Sequence, residues 1–205
     1  MLDEVLKFFV LFFVIVEPIT LVPLFAAMTE GADEEFRRRM ALKAVIVAGC
    51  VLLLFAVGGA WFLKVMGISV DAFRIAGGIM LFLIALEMVF ARESGTRTTP
   101  EEKDETRKRA DISVFPLAFP FIAGPGAIAI VLLTFGASRS DFALSAGLFG
   151  AVIVVLAITY LLMRLTPLVM RVMGVTGGNV INRLSGVVLA ALAVQFIITG
   201  ITNVF

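Results

Sequence analysis

An acid, two prolines and a threonine stand together at Glu17, Pro18, Thr20 and Pro23, in a run whose only charge between Lys7 and Glu30 is Glu17. A second cluster, Pro116, Pro120, Gly124, Pro125 and Gly126, lies in a stretch with no charge from Ile112 to Ser138. Proline lacks the N–H of a helix ladder and clashes with the carbonyl four residues back, so each cluster should interrupt a helix. Irregular backbone at bilayer depth persists only where protein buries it or a polar cavity borders it. Pro125 suits the first turn of a restarting helix. Gly124 would then cap it, leaving the N–H groups of Gly126 and Ala127 open. In the first cluster Val22, Leu24 and Phe25 hold the equivalent places. Such a terminus is an anion site. Upstream, Pro18 and Pro120 release carbonyls that accept from an ammonium. Donors beside acceptors suit a small zwitterion, an amino acid above all. The alternative is that these prolines only kink ordinary membrane helices.

The candidate substrate-binding set is Glu17, Ile19, Thr20, Ile122, Ala123, Gly124, Gly126 and Gln195. Glu17 and Glu87 are the proton-coupling candidates. A carboxyl at mid-span costs at least a few kcal/mol, so Glu17 should face the interior. It serves as ammonium partner, as proton carrier, or only as a partner for backbone groups freed by Pro18. Glu87 lies close enough to a span end to reach water, and Gln195 serves the site or holds helices together. Thr20 binds ligand or bonds back to its own turn. Phe8, Phe9, Phe12 and Phe13 form a face expected to meet lipid and neighbouring helices.

Composition fixes the setting. Of 205 residues, 60% are hydrophobic and 16% charged, with a mean hydropathy of +1.07. Soluble domains are about half apolar, so this chain belongs in a bilayer. It has no histidine and one cysteine, Cys50. That removes the usual zinc ligands, disulfides and general base, and no metal, cofactor or enzyme activity is expected. A net charge of +1 offers nothing to nucleic acid. The acids in MLDEVLKFF make the first apolar run a retained span and not a cleaved leader.

Six spans follow from the charge-poor windows, each near the ~20 residues that cross hydrocarbon. They cover about 5–28, 41–63, 71–91, 112–137, 142–165 and 179–204, all helical because none alternates in polarity. The fold class is therefore all-α, with spans one and four discontinuous. Residues 1–91 form one three-helix unit and 112–205 a second, joined by a charged, solvated connector over 92–111. The halves echo each other. KVMGIS (64–69) matches RVMGVT (171–176), and RIAGGIMLFLIA (74–85) matches RLSGVVLAALAV (183–194). Three spans per unit is an odd number, so the second unit is inverted, and matched breaks in inverted units point to a transporter's binding site. Of the 17 Lys and Arg, only Lys7, Lys64, Arg74 and Arg139 fall on the side of the termini. The other thirteen mark the cytoplasmic face, which places the protein in the cell membrane with both ends outside.

EPITLVPLF, GISVDAFRIAGG, FPLAFPFIAGPGAIA and NRLSGVVLAALAVQFIITGI resemble the MarC family of six-span membrane proteins, over essentially the whole chain except 92–111. The resemblance includes archaeal transporters of small neutral amino acids such as glycine and alanine. It implies amino-acid transport coupled to protons. Where the family pattern often has Asn or Asp before the first proline, this chain has Glu17. The alternatives are export of another small solute or drug, and a passive channel.

Overall fold

The computed structural model describes residues 1–90, 111–138 and 141–204. Those residues are helical or turn throughout: α1 (Leu2–Val16), α2 (Leu21–Met28), α3 (Glu34–Val65), α4 (Val70–Phe90), an irregular α5 (Ser113–Ile122), α6 (Pro125–Ala137), α7 (Phe142–Arg164) and α8 (Thr166–Val204). Up to residue 110, the charged connector expected over 92–111 lies outside them. Five stretches are long and apolar enough to cross a membrane: α1 with α2, α3, α4, α7, and the Arg183–Val204 part of α8. The α5–α6 pair, bent by 58°, meets the same test as a unit.

Local signals explain the boundaries. Asp33 caps α3 by accepting from the Phe36 N–H at 2.7 Å. The same helix ends where Gly67 takes φ 70° and the Ile68 N–H returns to the Leu63 carbonyl at 2.9 Å. That is the left-handed glycine stop, which a side chain would strain. Asp141 caps α7 on the Leu144 N–H at 2.9 Å.

The sixth span, expected at about 179–204, is the Arg183–Val204 part of α8, but the helix itself begins much earlier. RVMGVT does not turn the chain as KVMGIS does; α8 is helical from Thr166, directly after α7. Pro167 falls in its first turn, where a missing N–H costs nothing. Its 39 residues rise about 58 Å, so the turns before Arg183 extend past the hydrocarbon.

The core lies where all eight described helices meet, with the largest shares from α1, α3, α4, α5, α6 and α7. Phe8 and Phe12 belong to it: both are buried and stack at 5.5 Å. Phe8 also meets Phe135 of α6 edge-on at 6.2 Å. Of the phenylalanine face expected to meet lipid and neighbouring helices, Phe8 and Phe12 do the packing. The closest helix pair is α4 with α8. A Cβ on Gly78 would lie 2.9 Å from the Ala193 carbonyl oxygen, and one on Gly200 would lie 2.6 Å from Ile75. Small residues let backbones approach where lipid supplies no hydrophobic drive.

Candidate functional site

The first break is compact and hydrogen-bonded. α1 stops at Val16 because Glu17 turns left-handed, with φ 53° and ψ 55°. A non-glycine residue is uncommon there, and the conformation costs of order 1–3 kcal/mol. The Glu17 N–H donates to the Phe13 carbonyl at 3.0 Å, and the Glu17 carbonyl accepts from Leu21 at 3.2 Å. Val22 donates to Ile19 at 3.2 Å. α2 restarts at Leu21 with Thr20 as its cap, so Val22 lies inside the helix and is not the capping residue expected, and Leu24 and Phe25 follow the first turn and do not sit at its open end. Glu17 and Pro18 are buried, and Ile19 and Thr20 are half-buried.

The second break is looser. Phe115 and Phe119 are extended, with φ/ψ near −130°/125–129°, as residues before proline prefer. Between them the turns are wide: Leu117 donates to Ile112 at 3.3 Å and Ala123 to Ala118 at 2.8 Å, both five residues back. The peptide bonds before Pro116 and Pro120 are cis. α6 then begins at Pro125 with Gly124 as its extended cap. Ile128 is the first residue of α6 to close an i→i−4 bond, on the Gly124 carbonyl at 2.9 Å. The Gly126 and Ala127 N–H groups precede that ladder.

A cavity of about 10 Å³ lies against this terminus, bordered by Pro120, Phe121, Gly124, Pro125, Gly126 and Ala127. Its opposite wall is aliphatic: Ile15 from α1, Leu81 and Ile84 from α4, and Leu189 from α8. That volume holds about one water. The wall presses on the terminus, since a Cβ on Gly126 would lie 2.2 Å from Leu81 Cδ2 and 3.3 Å from Ile15 Cγ2. A Cβ on Gly124 would lie 2.4 Å from the Pro120 carbonyl oxygen. The α6 terminus and Pro120 thus border one small chamber whose far wall is aliphatic.

Of the expected site residues, Gly124 and Gly126 border the cavity, and Ile122 and Ala123 are buried beside it. Glu17, Ile19 and Thr20 follow Ile15 in the chain but do not line the cavity. Gln195 is exposed, its amide donating to Thr199 Oγ1 at 3.2 Å along its own helix. Glu87 is half-buried near the end of α4. Sequence reasoning missed the aliphatic wall. Leu81 and Ile84 have the type and spacing of any core position, and only the fold aims them at Gly126.

A family model described as "MarC family integral membrane protein" matches residues 2–205. The chain belongs to the MarC family. It is 36% identical to the UPF0056 membrane protein YhcE of Escherichia coli over 199 residues, 97% of this chain and 92% of YhcE. It is 36% identical to YvbG of Bacillus subtilis over 206 residues, 100% and 97% of the two chains. Against MJ1677 of Methanocaldococcus jannaschii it is 38% identical over 200 residues, 96% and 97% of the two. No solved structure is significantly similar. This MarC-family chain is an integral, multi-pass membrane protein.

Proposed function

We propose that the chain is a secondary transporter of small neutral amino acids, of the glycine and alanine class, and not an enzyme. The substrate binds at mid-membrane in the chamber under α6. Its carboxylate takes the Gly126 and Ala127 N–H groups, and its ammonium takes the Pro120 carbonyl. One observation carries the reading: open helix-terminus donors and a carbonyl border one cavity inside a span with no charge. In such a low-dielectric chamber, oriented peptide dipoles bind a zwitterion without placing a full charge in the protein. Glu17 is the proton-coupling residue, held beside the chamber by the strained turn that ends α1, with Glu87 nearer the membrane surface.

Alternating access follows from two inverted units, 1–91 and 112–205, with spans one and four discontinuous. Packing supports the pairing, because contacts come in exchanged sets. α3 packs on α5 and α6 as α7 packs on α1 and α2, and α4 on α6 as α8 on α2. The equivalent helices pack on each other, α4 on α8 and α3 on α7. A pseudo-two-fold axis in the membrane plane produces this pattern.

Purified protein in liposomes is expected to accumulate labelled glycine or alanine, faster when the external side is made acidic. Glu17→Gln is expected to lose gradient-driven accumulation and keep exchange. Flux that neither saturates nor accumulates would mean a channel. Absence of competition by any neutral amino acid would end the substrate assignment.

A further inference from the structure

We infer that Leu81 is the specificity-determining residue of this chamber, limiting the substrate side chain to hydrogen or methyl. The inference rests on the amino-acid reading above. A carboxylate on Gly126 and Ala127 with an ammonium toward Pro120 places the substrate's Cα between the two parts of the break. Its side chain then points away from the backbone groups, toward Ile15, Leu81, Ile84 and Leu189. Leu81 reaches deepest of these, because its Cδ2 already occupies the space where a Cβ on Gly126 would sit. It is 1% exposed, and Ile84 and Leu189 on the same wall are 6% and 0% exposed. Packed on that wall, its tip gives only by small shifts, so admitting even glycine moves α4 with it.

α4 is a helix with reason to move as a unit. It is seated on α8 through glycines, and its other close approach is to α6, where a Cβ on Gly77 would meet Ala129 Cβ at 2.9 Å. Each added substrate carbon pushes Leu81 further from a wall packed like a core. Discrimination per methylene in such a pocket is about 10–200-fold.

Binding of glycine, alanine, valine and leucine is measured by thermal shift and titration on the full-length protein, for wild type, Leu81→Ala and Leu81→Val. Wild type is expected to rank glycine and alanine above valine and leucine. Leu81→Ala is expected to raise the valine-to-glycine affinity ratio by about tenfold or more, and Leu81→Val to move it the same way by less. A folded variant of either kind that keeps the wild-type ranking overturns the role of Leu81 while leaving the transporter standing. If neither wild type nor variants bind any of the four, the amino-acid reading falls and this inference falls with it.

Discussion

At the residue scale the site is defined by what glycine leaves out. The clash at Gly124 is with a backbone carbonyl, Pro120 O at 2.4 Å, whereas the clash at Gly126 is with the end of a side chain. Backbone cannot yield as a leucine tip can. Gly124→Ala is therefore expected to destabilise the detergent-solubilised protein by about 2–3 kcal/mol, and Gly126→Ala by about 1–2, in the range for overpacked cores. The Gly126→Ala loss should shrink when combined with Leu81→Ala, because the two sites are in contact. Equal, additive losses in thermal unfolding would show that Leu81 does not sit on Gly126. The glycines were legible in the sequence, since Gly-Pro-Gly inside an uncharged apolar run has few other uses. The left-handed turn at Glu17 was not. A lone Glu before Pro marks a helix break but not its handedness, which comes from the buried surroundings that hold it.

At the element scale, α5 needs a tether because its wide turns and extended phenylalanines make little regular ladder. Asp111 supplies it just outside the span. One of its carboxylate oxygens pairs with Lys43 of α3. The other accepts from the Ser113 N–H at 3.0 Å and the Ser113 hydroxyl at 2.5 Å. The Lys43 bond, then the two Ser113 bonds, lower the Asp111 pKa from 3.8 to about 2. A carboxyl depressed on folding stabilises above its unfolded value and loses that contribution as pH falls through its folded value. The tether should thus be complete above about pH 5 and fade between about pH 4 and 2. Both partners are nearly half exposed, so screening limits its worth to about 0.2–1 kcal/mol. Asp111→Asn is expected to cost that much at pH 7 and nothing further on acidification below 4. Unfolding curves whose acid limb is identical in wild type and variant would refute the tether. The sequence showed the start of this segment but not its partner, because Lys43 and Asp111 are 68 residues apart. The start of α8 also escaped it. The similar stretch RVMGVT is helical where KVMGIS ends a helix at Gly67, so a local sequence match did not carry the turn with it.

At the scale of the whole molecule, the question is whether α5 and α6 together cross the membrane or dip in and return. Their neighbours on α3 favour a crossing. α5 begins at Asp111, tied to Lys43, while near the end of α6 a Cβ on Gly136 would lie 3.8 Å from Ala60. Lys43 and Ala60 are about 26 Å apart along α3, close to the ~30 Å of hydrocarbon. A re-entrant pair would return to the end of α3 from which it started. The rest of the charge pattern agrees. Arg164 at the end of α7 reaches Glu34 at 3.8 Å, on the same end of α3 as Lys43. At the opposite end, Asn203 donates to Asp71 at 3.0 Å, and Gly147 near the start of α7 abuts Val5 near the chain's beginning. These contacts fit the expectation from the charge rule that both termini lie on one face, opposite Lys43. In a Cys50→Ser background, a membrane-impermeant maleimide applied to intact cells is expected to label Asp3→Cys and Thr202→Cys but not Glu35→Cys. Labelling only Glu35→Cys would invert the orientation. Labelling only one of the two terminal cysteines would make the number of spans odd, turn α5 and α6 into a re-entrant loop, and overturn the inverted symmetry proposed above.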